Sequence, residues 1–149
     1  FQLGPKVEHL LTNPNVATVQ ALSKKVLGES HRFFGLLRFM DLGNNMFYSK
    51  IHPDHNILEI LGNHFIHRFP NQNFIIHDQN RNLAFLYNTR TYTIVDAKDI
   101  NIKISQEEKY YQNLWKTFYQ TIAITERTNP RLQMQCMPKK YWQDLIEKQ

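Results

Sequence analysis

Cations and aromatic rings crowd the end of this chain, where ERTNPRLQMQCMPKKYW runs from Glu126 to Trp142. Arg127, Arg131, Lys139 and Lys140, followed by Tyr141 and Trp142, have the composition of a surface that tracks phosphates and stacks on exposed bases. Arg38, Arg68, Arg81 and Lys116 could extend that surface from earlier in the sequence. An internal reading competes evenly. Arg127 and Arg131 could pair with Glu126, Asp144 or Glu147, and Trp142 could anchor the tail onto the core.

Seven histidines raise the question of a metal. His52 with His55, and His64 with His67, are spaced three apart, near the geometry that sets two imidazoles on one helix face. No cysteine or dense carboxylate cluster accompanies them, so ordinary histidines are the better expectation, with no metal and no cofactor on this chain. His77 and Asp78 are neighbours in a strand and point to opposite faces, which argues against an acid–base pair. Ser23, Ser30, Ser49 and Ser105 lack an elbow motif, and the lone Cys136 has no histidine near it in sequence. No glycine-rich phosphate loop is present.

The composition bounds the partners. The chain has 149 residues, 42% of them hydrophobic and 13% aromatic, enough to bury a core without staples. A net charge of +5 favours nucleic acid or an acidic protein face. One cysteine excludes an internal disulfide framework and any CxxC motif, which points to a reducing compartment, the cytoplasm by default. No apolar run approaches the roughly 20 residues that span a bilayer. The chain opens at Phe1 rather than Met, as a piece of a longer protein would.

These residues need elements to position them. Pro5 predicts a short helix closed by Asn13 and Pro14, and Asn15 predicts the N-cap of a second, with Val16, Val19, Leu22 and Val26 on one face; Gly28 weakens or ends it, or Glu29, His31 and Arg32 extend it by a turn. Phe34 to Leu42 reads as a strand, Gly43 to Asn45 as a turn, and Met46 to Ile51 as the returning strand. Asp54 predicts a cap for a helix whose stripe is Ile57, Leu58, Leu61 and Phe65, stopped by Pro70. Phe74 to His77, Leu83 to Tyr87 and Tyr92 to Val95 predict a three-strand meander. Ser105 and Glu108 form an S-x-x-E capping box ahead of Tyr111, Leu114, Trp115, Phe118 and Ile122, the clearest amphipathic helix in the chain. Beyond Thr125 the prolines predict broken structure, with a short helix from Tyr141. The sum is one α+β domain over residues 1–149, an antiparallel sheet of about five strands packed with three or four helices.

Several short motifs recur together: E-x-HR (Glu29, His31, Arg32), L-RF (Leu37, Arg38, Phe39), HF-x-x-RFP (His64 to Pro70), IHD (Ile76 to Asp78), LWK (Leu114 to Lys116), ER-x-NP (Glu126 to Pro130) and MPK-basic-YW (Met137 to Trp142). Over essentially the whole chain they resemble a bacterial family described as probable DNA metabolism protein, a domain of unknown function. The resemblance implies a segment preceding residue 1. It also implies a role in DNA modification or repair, with DNA, a putative DNA-repair radical-SAM protein or a uracil-DNA glycosylase-like domain as partner. Three functions then compete. The first is an accessory protein that binds nucleic acid or docks on the partner enzyme through the basic and aromatic surface. The second is an enzyme acting on nucleic acid or a nucleotide, with a polar pocket drawn from the titratable motif residues Glu29, His31, Arg38, His64, His77 and Asp78. The third is a purely protein-binding module, which would expose an apolar patch instead of a basic face.

Overall fold

The computed structural model describes residues 12–98, 106–122 and 127–148, together with Val7, Ile102 and Ile124. The expected first helix, apart from Val7, lies outside those residues, as does Ser105 of the capping box. Helix α1 runs Pro14–Leu36. Its N-cap is Asn13 rather than Asn15, because the Asn13 side chain accepts the Asn15 N–H at 3.0 Å and Pro14, whose ring presets a helical φ, takes the first helical position. Gly28 does not end the helix. The run from Phe34 is therefore its last turn, and only Met40–Asp41 remains as strand β1. Apolar density alone does not separate a helix end from a strand, which is why the longer strand fails.

Strand β2, Met46–Ile51, pairs antiparallel with β1 across the expected turn. Gly43, Asn44 and Asn45 all take positive φ, a backbone that glycine and asparagine tolerate best. Helix α2, Leu58–Arg68, buries Leu58, Leu61, Gly62 and Phe65. Its N-cap is Ile57, with no side-chain cap, while Asp54 pairs with Lys140 instead. Strands β3 (Asn73–Asp78), β4 (Leu83–Tyr87) and β5 (Tyr92–Asp96) form the antiparallel meander.

The strands lie in the order β1-β2-β3-β4-β5. One pairing departs from the antiparallel expectation: β2 and β3 are parallel, so the α+β sheet is mixed, and α2 is the crossover that parallel neighbours require. α2 packs on β3 and β4. A Cβ on Gly62 would lie 2.2 Å from the Phe85 ring, so this helix approaches the sheet as closely as it does only because the side chain is missing. Phe33, Ile51, Ile57, Leu61, Phe65, Phe74, Ile76 and Phe85 make up most of the core, and Tyr141 joins it from the tail.

Helix α3 spans Gln106–Thr121. Glu108, at its start, accepts the Asp41 N–H at 2.9 Å and so ties α3 to β1. Pro130 does not break the chain; it opens a further helix, α4 (Pro130–Cys136), behind an Asn129 cap that accepts the Leu132 N–H. The end of the chain forms two 3-10 turns, Lys139–Asp144 and Ile146–Lys148. Among the described residues no helix is long and apolar enough to cross a membrane.

Candidate functional site

Three acidic residues and one tyrosine decide how the tail meets the body. Glu29, buried on α1, accepts the Tyr141 hydroxyl at 2.7 Å, the backbone N–H groups of Asp54 and His55 at 2.9 Å each, and His55 Nδ1 at 2.6 Å. Burial alone would push its carboxyl up, but these donors outweigh that and hold it below the ordinary carboxylate range. Tyr141 is 1% exposed, its ring edge-on to Phe33 with centroids 4.8 Å apart. Base stacking, the role foreseen for it, is closed to a ring so placed; Tyr141 seals the tail against the body instead.

Glu147 pairs with Arg38 at 2.7 Å and accepts the Trp115 indole N–H at 3.1 Å. Burial raises its carboxyl, yet the Arg38 hydrogen bond and charge bring it below the usual value. Asp144 holds His52 by two bonds, Oδ1 to Nδ1 at 2.8 Å and Oδ2 to the backbone N–H at 3.2 Å. Here desolvation wins and the Asp144 carboxyl is raised, against the pull of His52 and Lys50.

The foreseen cations therefore divide. Arg38 is on Glu147, Arg81 on Asp78 at 2.9 Å, and Lys140 on Asp54. Trp142 is half-buried, its indole N–H on the Met137 carbonyl at 2.9 Å, with Lys139 and Lys148 over the ring at 5.8 and 4.8 Å. Arg68 is exposed over Phe69, Lys116 is half-buried on α3, and Arg127 and Arg131 are exposed around the start of α4. Neither Asp144 nor Glu147 is the partner of Arg127 or Arg131; Glu126 lies outside the described residues.

The six titratable motif residues are spread over several settings, with only His31 and His64 sharing one, the Phe34 ring. Glu29 sits under Tyr141 and Arg38 under Glu147. His64 stacks on Phe34 at 3.9 Å, and the exposed His31 meets the same ring edge-on. Asp78 accepts from Arg81 and from the backbone of Asn80 and Arg81. His77, on the opposite face of β3, shares a 2.9 Å hydrogen bond with the Tyr48 hydroxyl. Desolvation lowers the pKa of both His64 and His77. His52 and His55 are likewise separated by their partners, His52 on Asp144 and His55 on Glu29, and no cluster of three or more metal-ligating residues occurs among the described residues.

Sequence reasoning missed two features. One is the polar row Tyr48, Lys50, His52 on β2 and its extension, a period-two signal hidden by the stronger hydrophobic pattern. The other concerns α3. Its amphipathic stripe was legible, but the stripe faces outward: Tyr111, Leu114, Phe118 and Ile122 are 61, 47, 52 and 56% exposed. Tyr111, Leu114, Trp115 and Phe118 line a groove of about 760 Å³ that Arg38 and Phe39 close on the α1 side. Tyr119 and Ile122 continue into a second groove of about 620 Å³, with Ile124, Arg127, Leu132 and Met137.

No curated protein and no solved structure matches the chain. One family model does, over residues 1–147. The chain belongs to the family described as domain of unknown function DUF4130.

Proposed function

We propose that this domain is a docking module, an accessory part of a DNA-modification or repair system, and that its partner is a protein seated along α3. The observation that carries the reading is the outward apolar stripe. Soluble domains seldom leave a contiguous row of large apolar side chains in water unless something covers it. Together the two grooves follow α3 from Glu108 to Tyr119, about 18 Å at the usual helical rise. That length and shape fit an amphipathic helix laid into a groove. Arg127 in the second groove and the exposed Arg131 beside it favour a partner helix with acidic residues at its rim.

The family resemblance supplies the candidates, a radical-SAM protein or a uracil-DNA glycosylase-like domain. Trp115 and Phe118 provide the test. Titration of either candidate into the purified chain, followed by tryptophan fluorescence and calorimetry, is expected to give saturable binding that Phe118→Glu abolishes. Binding that ignores Phe118→Glu, or none with either candidate, defeats the reading.

A second reading rests on a different observation. Lys109 and Lys116 alternate on α3 with the exposed rings Tyr110, Tyr111, Trp115 and Phe118, the arrangement on which single-stranded nucleic acid stacks. Single-stranded DNA binding that falls steeply with salt, and is lost in Trp115→Ala, would favour it over docking.

A further inference from the structure

On β2 and its extension Tyr48, Lys50 and His52 fall at every second residue, so they share one face, and the parallel ladder sets Lys50 opposite His77. Asp144 reaches the same place from the first 3-10 turn. The five titratable neighbours are electrostatically joined: the charge of Asp144 acts on Tyr48, that of His52 on His77, and that of Lys50 on Asp144.

Three unmet capacities meet here. A carboxylate only accepts, so Asp144 fixes the proton of His52 on Nδ1 and leaves Nε2 free to take a proton or, once protonated, to donate one. The His52 side chain is partly open to solvent, at 22%. Lys50 carries no ion pair among the described residues and is half-buried. His77 is 5% exposed, its Nδ1 is satisfied by Tyr48, and its Nε2 is buried without any partner, a costly condition for a polar atom. An ammonium and two imidazole nitrogens that donate when they carry a proton, at the carboxyl ends of two parallel strands, match a ligand made of acceptors.

The geometry points to a binding site for a phosphate-class oxyanion over the ends of β2 and β3, contacted by Lys50 and by Nε2 of His52, with Nε2 of His77 as its inner hydrogen-bonding point. Asp144 is a positioning residue, since it acts through the orientation of His52. This site is independent of the α3 face and of whatever docks there.

Long-range proton–nitrogen spectra of the imidazoles in the 15N-labelled chain read the site directly. The chain is titrated with inorganic phosphate, and separately with a deoxynucleoside 5′-monophosphate, at ionic strength held constant with sodium chloride. The expected result is saturable movement of Nε2 in His52 and His77, while the exposed His31 and His67 stay still. Lys50→Ala is expected to weaken saturation about tenfold or more, as loss of a charge-assisted contact does. Saturation by both probes assigns the ligand as phosphate itself; saturation by the mononucleotide alone supports the site and adds a nucleoside requirement. Three results overturn the proposal: no response of His52 and His77, an equal response of all four histidines, or an unchanged response in Lys50→Ala. Asp144→Asn is expected to blunt the His52 response; should that variant unfold, Lys50→Ala and Lys50→Gln, at a half-buried surface position, still decide the matter.

Discussion

The Tyr141 hydroxyl donates to Glu29 Oε1 at 2.7 Å across 112 residues of sequence. Both groups are buried, and the carboxylate has three further donors, so the bond belongs to a filled network and not to a lone buried charge. Tyr141→Phe removes one donor from a buried carboxylate and is expected to cost about 1.5–3 kcal/mol of unfolding free energy. Glu29→Gln removes the charge that all four donors serve. In a denaturant double-mutant cycle the two losses are expected to be less than additive; strictly additive losses would mean the hydroxyl and carboxylate do not interact.

Acid is expected to destabilise the protein in two stages. His64 and His77 have pKa values lowered by desolvation, so the folded state binds their protons less well than the unfolded state, whose value is near 6.5. Their stabilisation is present above that pH and is lost as pH falls through the lowered folded values. Glu29 and Glu147, also lowered, add a second loss below about pH 4.5. Asp144 runs the other way: its raised carboxyl stabilises most at low pH and loses that contribution as pH rises through its folded value. Thermal midpoints measured from pH 7.5 to 4 check the signs, and His64→Phe, which keeps the stack on Phe34, is expected to flatten the upper stage.

Gly62→Ala is expected to destabilise by about 1–3 kcal/mol, although alanine is the better helix former. The added methyl group would meet the Phe85 ring at 2.2 Å, inside the core, where neither α2 nor β4 yields cheaply. Gly28→Ala, with open space around its Cβ on the exposed side of α1, is expected to stabilise by about 0.5–1 kcal/mol. Denaturant midpoints of the two variants should therefore move in opposite directions.

Phe118→Glu is expected to leave stability within about 0.5 kcal/mol of the parent, because a ring more than half exposed has little burial to lose. The same change in a core ring such as Phe33 would unfold the chain. A large loss at Phe118, measured by urea denaturation, would mean that the α3 stripe is internal packing and not a surface held for a partner.

Much of this fold is legible in the sequence because its signals are local. The GNN turn needs left-handed backbone, the α2 stripe follows helical spacing, and the meander strands are separated by turns too short for any other pairing. What escapes is non-local. The parallel join of β2 and β3 depends on where α2 packs, which no residue within the strands encodes. Leu114 and Phe118 carry the periodicity of a core helix, and periodicity alone does not tell whether the chain itself or another molecule supplies the cover. Arg38, Arg81 and Lys140 read as free cations because Glu147, Asp78 and Asp54 reach them only through tertiary folding or a turn. Asp144 and His52, 92 residues apart, leave no sequence trace of their pairing.

The Glu29 network also sets a schedule for biosynthesis. A nascent chain emerging from the ribosome can form α1, the sheet and α2 long before Tyr141 leaves the exit tunnel, and until then the Glu29 carboxylate lacks that donor. Translation is slow compared with helix and hairpin formation, so this intermediate persists for seconds. A chain stalled after β5 but short of residue 141 would therefore display an open hydrophobic seat beside Phe33, which makes such truncated products natural targets for chaperones and proteases.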